Sequence, residues 1–406
     1  MNPPTKYRRA FWVIISLLYM TPLAINLGYA DDAPVDFAIS NLMLIYPVAI
    51  LSSTKLISEN FKRVILYPLY FVLFGVISSI IRGGSIETLL SMASFSLPIL
   101  HLIVGACFAL TKKNMNFSYS YFSYIIIVLT LVLFVSDLIY GSFPRGCGYE
   151  GRWGGCIGNL EVYGFPNPPM NFLACVSVLL GIFLIRPVKK SVRMATIVSL
   201  AIIGFILLLS LSRSAVLIYV VSLGFIAFSI WGARSLFAVI IIGLIIAFNI
   251  ESILDSFLVS GVLARTNTAL AAGDISTGRI GIWIEALHVI AKDPIFGVGF
   301  LSFSNFSSFG TAHQQYLEVL FKVGAIGFFM YFFPLGRGYK AAINYLQKKY
   351  TEAHSPKEQT LALGFVSCVL IASVFQPAIS YQTLGNFVFF SAGYFTGRVS
   401  YKRTKK

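Results

Sequence analysis

Apolar stretches, each closed off by a short polar or charged segment, run along almost the whole chain. Each comes close to the ~20 residues a helix needs to cross the hydrocarbon core of a bilayer. The pattern predicts twelve spans, near 10–29, 37–53, 64–81, 86–110, 118–139, 168–185, 194–211, 214–231, 235–250, 313–335, 360–378 and 383–397. The expected fold is therefore all-α: a polytopic integral membrane protein of about 12 transmembrane helices. The first span follows Lys6, Arg8 and Arg9 with no small-residue cleavage site before the next, so it reads as a retained signal anchor.

Two segments are too long to be plain connectors. One, 140–167, is rich in glycine and aromatics and ends in Phe165-Pro166-Asn167-Pro168-Pro169; the other is 251–312. Within the second, Ile280, Trp283, Ile284, Leu287 and Ile290 recur at helical spacing, with Glu285 and Lys292 elsewhere on the wheel. That predicts an amphipathic helix over 279–292, ahead of the tenth span, lying at the interface or capping the bundle. Asp293-Pro294 stops it, and Gly297-Val298-Gly299 leads into a Ser/Phe-rich loop ending at Thr311-Ala312-His313. No linker, composition break or internal repeat divides the chain, so 1–406 reads as a single membrane domain whose function sits in loops and helix ends.

Composition agrees, with 57% hydrophobic and 12% charged residues. The formal net charge of +15 would suggest nucleic acid in a soluble protein. Here it sorts by loop instead. Most lysines and arginines fall at the N-terminus, in 54–63, 111–116, 186–193 and 336–358, at Arg234 and at the C-terminus. The positive-inside rule makes those segments and both termini cytoplasmic. No nucleic-acid partner is implied. The opposite, periplasmic face keeps Arg82, Arg145, Arg152, Arg213, Arg265, Arg279 and Lys292, and Lys322 lies within a span. Of five cysteines, Cys107, Cys175 and Cys368 sit in predicted spans as packing residues, while Cys147 and Cys156 share the first periplasmic loop and could form a disulfide or stay reduced.

The exceptions to the charge sorting are the candidates for chemistry. Arg213 stands in a turn of almost no length between two apolar spans, where an arginine drawn toward the bilayer centre costs up to ~3 kcal/mol. It reads either as a snorkelling arginine or as a guanidinium facing an anionic ligand. Arg279 opens the amphipathic helix, whose N-terminal N–H groups favour anions and disfavour a cation. A phosphate there would meet both the N–H groups and the guanidinium; a plain solvated arginine is the other reading. His313 begins a span straight after the periplasmic loop, suited to proton transfer or to capping. His288 reads as surface, His101 as a satisfied core histidine and His354 as cytoplasmic. The spacing contains no Ser-His-Asp set, metal-ligand cluster or phosphate-binding loop, which argues against ATP-driven chemistry.

Four stretches together resemble the O-antigen ligase and O-antigen polymerase superfamily of bacterial surface-glycan assembly. They are Phe-Pro-Asn-Pro entering the sixth span, Leu-Ser-Arg-Ser-Ala-Val-Leu at 211–217, the run 278–299 from Gly-Arg-Ile-Gly-Ile-Trp to Asp-Pro-Ile-Phe-Gly-Val-Gly, and 312–327. The last fits the family pattern of His, then Asn/Ser/Gln, nine residues and Gly-x-x-Gly, through His313, Gln314, Gly324 and Gly327. Residues 1–139 carry no matching motif.

The resemblance implies a glycosyltransferase of the bacterial inner membrane, working on the periplasmic face without metal or cofactor. Its donor would be an undecaprenyl-pyrophosphate-linked glycan. Arg213 and Arg279 would hold the pyrophosphate, His313 would take or orient the acceptor's proton, and Gln314, Arg145 and Arg152 would add substrate contacts. The acceptor would be a glycan repeat unit, for a polymerase, or lipid A-core, for a ligase. Membrane lipids and a chain-length regulator protein complete the implied partners. The His/Gly pattern is familiar among ligases; the compact segment between Gly299 and His313 looks more like a polymerase, which is slightly favoured. Gln314 stands where Asn is common, and Phe328 after Gly-x-x-Gly is another departure. A lipid-linked glycan flippase or transporter is the main rival, but transporters gather ionisable residues near the midplane. A structural scaffold, the other rival, would not need the basic residues and His313 to converge.

Overall fold

A computed structural model describes residues 5–21, 24–30, 33–47, 59–111, 119–139, 155–157, 160–163, 167–210, 212–235, 279–307, 311–349 and 355–403. The fold is a helical bundle. Its helices are α1 (Thr5–Met20), α2 (Glu59–Ile81), α3 (Ile86–Thr111), α4 (Tyr119–Ile139), α5 (Asn167–Ser177), α6 (Ile182–Ile185), α7 (Lys190–Leu209), α8 (Arg213–Trp231), α9 (Arg279–Lys292), α10 (Gln315–Lys349), α11 (Ser355–Phe375) and α12 (Gln382–Arg403). Among the described residues, Lys190–Leu209, Arg213–Trp231, Gln315–Asn344 and Pro356–Phe375 are long and apolar enough to cross a membrane. Shorter apolar stretches lie at Ile65–Ile81, Phe95–Ala109, Ser120–Ser136 and Pro169–Ile185. The ninth predicted span lies outside the described residues, as does 251–278 of the second long loop.

The first two predicted spans differ from expectation. Helix α1 stops at Met20, just before Thr21-Pro22, and proline has no N–H to continue a helical ladder. Strand β1 (Ala24–Ala30) then pairs antiparallel with β2 (Ala33–Ala38), Ala24 opposite Ala38, with an irregularity between Asn26 and Tyr29. The alternation of Ile25, Leu27 and Tyr29 with Asn26 and Gly28 is the period of a strand, which an average over a long apolar window conceals. A 3-10 helix follows at Ile39–Leu44. A second small hairpin, β3 (Gly155–Ile157) with β4 (Leu160–Tyr163), forms in the first long loop of the sequence reading, 140–167. Cys147 lies outside the described residues, so the cysteine pair stays an expectation.

The sixth span begins as expected at Asn167, with Pro168 and Pro169 in a first turn that needs no N–H from them. It tightens into a 3-10 turn at Val178–Gly181 before α6. The tenth runs well past its predicted end, α10 continuing into the segment read as a cytoplasmic loop. Pro334 lies inside that helix without ending it.

The core is built around α3 and α12, which pack backbone against backbone. A β-carbon on Gly105 would lie 2.0 Å from the Phe390 carbonyl oxygen, and one on Gly393 2.0 Å from that of Leu102. Small residues at such a crossing replace hydrophobic drive with close van der Waals contact, the usual means of joining helices in lipid. Beside this crossing lies a buried polar network. Tyr19 Oη and His101 Nδ1 are 2.7 Å apart, and His101 Nε2 is 3.1 Å from Asn41 Oδ1. Asn41 Nδ2 donates to Gln382 Oε1 at 2.7 Å, and Asn386 Nδ2 donates to Asn41 Oδ1 at 2.9 Å. His101 is thus a satisfied core histidine.

Arg186 pairs with Glu358 at 2.7 Å and donates to Ser120 Oγ at 3.1 Å, joining the starts of α4 and α11 to the end of α6. The starts of α5, α8 and α10 and the α11–α12 connection meet at the other end, where the candidate residues lie.

Candidate functional site

Three elements bring the candidate side chains together. Arg213 is the first residue of α8, set off by a serine-lined turn. Ser210 Oγ donates to the Leu207 carbonyl at 2.7 Å, which finishes α7. Ser214 Oγ donates to Asn171 Oδ1 at 3.2 Å, which holds the first turn of α8 against α5. Asn171 is fully buried, and its Nδ2 meets no hydrogen-bond partner among the described residues.

Arg279 is the first residue of α9. One face of that helix, Ile282, Ala286 and Val289, packs into a small core with Val298, Phe303, Ala312 and Phe321. Ala312 in this core precedes His313, and Ile282 follows Arg279 by less than a turn, so the packing carries the two polar groups toward one another. Most of the apolar stripe visible in sequence lies on another face: Ile280, Ile284 and Leu287 are 56%, 49% and 52% exposed, while Trp283 and Ile290 are half-buried and Ile290 packs against the small core. The helix is apolar on two sides, against the protein and away from it. His288 is exposed, as expected.

His313 sits in the turn before α10 with φ of 51°, the one positive value among described non-glycine residues. Left-handed backbone at such a residue costs roughly 1–2 kcal/mol and persists only where the surroundings impose it. Three bonds impose it here. His313 N–H donates to Thr311 Oγ1 at 2.9 Å, Ala312 N–H to Glu318 Oε2 at 3.0 Å, and Leu317 N–H to Gln314 Oε1 at 2.6 Å. The last is an N-cap, so the carboxamide oxygen of Gln314 serves the helix terminus.

The charges of these residues act on one another. Burial lowers the pKa of Arg279, and the positive charge of Arg213 lowers it further. Burial likewise pulls the His313 imidazole below its ordinary value, Arg279 adds to that, and Glu318 opposes it. Arg213, Arg279 and His313, remote in sequence, therefore share one electrostatic neighbourhood. Two cations and a largely neutral imidazole in half-buried positions favour an anion and can accept a proton. Arg145 and Arg152 lie outside the described residues. No cluster of three or more His, Cys, Asp or Glu side chains that could hold a metal occurs among the described residues.

The support beneath the site was less visible in sequence. Helix α10 is broken at Gly324, whose φ of 59° and ψ of −167° are not helical. The Asp293–Gly299 loop docks on the break: Val298 N–H donates to the Phe321 carbonyl at 2.9 Å, Ala325 N–H to that of Pro294 at 2.9 Å, and Ile326 N–H to that of Ile295 at 3.3 Å. Arg82, one of the exceptions to the charge sorting, pairs with Asp293 at the head of this loop. Fully buried Gln315 pins the start of α10 to the α11–α12 connection, its Oε1 accepting from Ile379 N–H and Ser380 N–H, each at 3.0 Å. The adjacent polar pair Gln314-Gln315 was the signal for it.

No curated protein matches the chain. Residues 197–332, which hold Arg213, Arg279, His313 and the Gly324 break, match the family model described as O-antigen ligase, and this match supports assignment to the O-antigen ligase and polymerase superfamily.

Proposed function

We propose that this protein is an inner-membrane glycosyltransferase that moves an undecaprenyl-pyrophosphate-linked glycan onto an acceptor hydroxyl at the periplasmic face, acting as a repeat-unit polymerase. The observation that carries the reading is the convergence of three residues remote in sequence, Arg213 acting on Arg279 and Arg279 on His313. Two guanidiniums held close repel, and a pyrophosphate between them turns that repulsion into attraction. They also stabilise the charge that grows as the anomeric C–O bond breaks and its electron pair leaves with undecaprenyl pyrophosphate. The new bond forms from the acceptor oxygen to the anomeric carbon, and His313, kept neutral by burial and by Arg279, takes the hydroxyl proton. An apolar cavity of about 390 Å³ beside α10, lined by Tyr316, Phe328, Phe332, Val369 and Leu370 among others, suits a polyprenyl chain.

A ligase is the second reading, favoured by the description of the matching family. The deletion strain separates the two. Lipid A-core bearing one repeat unit marks a lost polymerase; bare lipid A-core with polymer left on the carrier marks a lost ligase. An unchanged surface glycan rejects both. Arg213→Ala, Arg279→Ala and His313→Ala should each abolish transfer at normal expression, and full complementation by all three would refute the assignment of the site.

A further inference from the structure

We infer that Glu318 is a positioning residue for His313, holding its left-handed turn and setting a negative charge against it, with Lys322 as the counter-ion that makes the buried carboxylate tolerable. The inference rests on the reading of His313 as the proton acceptor. Glu318 and Lys322 are each 6% exposed. Glu318 Oε2 accepts the Ala312 N–H at 3.0 Å, one residue before His313, while Oε1 lies 3.4 Å from Lys322 Nζ. Lys322 is fixed in turn: its Nζ lies 3.5 Å from the Leu301 carbonyl oxygen and about 6 Å from the ring centres of Phe300 and Phe321.

A lone buried carboxylate would be costly, and a pair is tolerated when its remaining hydrogen-bonding capacity is filled. Here both oxygens are engaged. The arrangement also links the loop docked at Gly324 to the histidine turn through one side-chain pair. The charged groups acting on His313 come from two elements, Arg279 on α9 and Glu318 on α10, with Arg213 on α8 acting on Arg279. Burial and Arg279 weaken the imidazole as a base, and Glu318 restores part of its basicity. Without it, the imidazole would be neutral but a poor proton acceptor.

The test uses the full-length protein in detergent or nanodiscs. Acylation of His313 by diethyl pyrocarbonate, mapped by peptide mass spectrometry across pH, reports the neutral imidazole without requiring turnover. Glu318→Gln keeps an acceptor for Ala312 N–H and removes the charge. The titration midpoint of His313 should move to lower pH, with the acid limb of glycan transfer moving alongside and the maximal rate falling. Glu318→Gln/Lys322→Gln, which strands no lysine, should show the same downward movement should the single variant fold poorly. An unchanged midpoint in a folded variant overturns the inference. His313→Ala retaining transfer would instead overturn the catalytic reading, leaving the acylation titration to judge Glu318 by itself.

Discussion

Replacing Gly324 by alanine should separate the loop carrying the Asp-Pro-Ile-Phe-Gly-Val-Gly sequence from the helix carrying His313. The backbone there, φ 59° and ψ −167°, is territory held essentially by glycine. A β-carbon would stand 2.3 Å from the Ile295 carbonyl oxygen and 2.6 Å from the Phe296 nitrogen. Both are backbone atoms, so no side-chain rotation relieves the clash. Relief requires parting the segments and losing the hydrogen bonds from Val298, Ala325 and Ile326. Conformational strain and lost bonds together come to roughly 4–6 kcal/mol. Gly336→Ala is the control on the same helix, since nothing lies within 4 Å of its β-carbon position. Alanine there should stabilise by up to about 1 kcal/mol through helix propensity. Thermal unfolding of the purified variants, with the surface-glycan profile of complemented cells, reads both. Equal melting temperatures and equal glycan for the two variants would refute the argument that Gly324 is a docking site rather than a tolerated glycine.

Gln315→Ala strands the buried Ile379 N–H and the half-buried Ser380 N–H; it should lower stability by about 2–4 kcal/mol, detected by denaturant or thermal unfolding. Arg82→Ala breaks an ion pair whose side chains are 39% and 24% exposed. It should therefore change stability by less than about 1 kcal/mol, and a larger loss would show that the pair carries the loop. For pH, a base with a lowered pKa is neutral above that value and protonated below it. Transfer by the wild type should stay level through neutrality and fall as acid protonates His313, whereas loss of activity on raising pH through neutrality would contradict its role as base.

The membrane-helical character of the chain was legible from apolar runs alone: among the described residues four helices are long and apolar enough to cross a membrane, and four shorter apolar stretches accompany them. Arg213 and Arg279 stood out in sequence as arginines on the face that the charge sorting leaves sparse in basic residues, and His313 as a histidine at the start of a span. Local conformation was not legible. The hairpin Ala24–Ala38 is short and apolar, so its period of two is lost inside a window sized for a helix. The faces of α9 could not be ranked, since Ile282, Ala286 and Val289 are as apolar as the stripe opposite them. The break at Gly324 leaves no trace in hydropathy, because it is enforced by the Ile295–Val298 backbone rather than by neighbours in sequence. Gln315, beyond the hint of the polar pair Gln314-Gln315, escaped for the same reason, its partners being remote peptide groups, and Glu318 escaped because the tight turn that brings the Ala312 N–H to it is not written in any pattern of side chains.

The polar network around His101 constrains how the chain can be made. Asn41 and His101 emerge from the ribosome early, yet Gln382 and Asn386, which satisfy Asn41, arrive more than 300 residues after Asn41. Until α12 enters, amide groups of the N-terminal segment face lipid or other helices without their final partners. Membrane integration therefore finishes with the last helix, which closes the bundle as a keystone closes an arch. A nascent chain halted before Gln382 would present that unsatisfied polar surface within the bilayer, a ready signal for quality-control proteolysis.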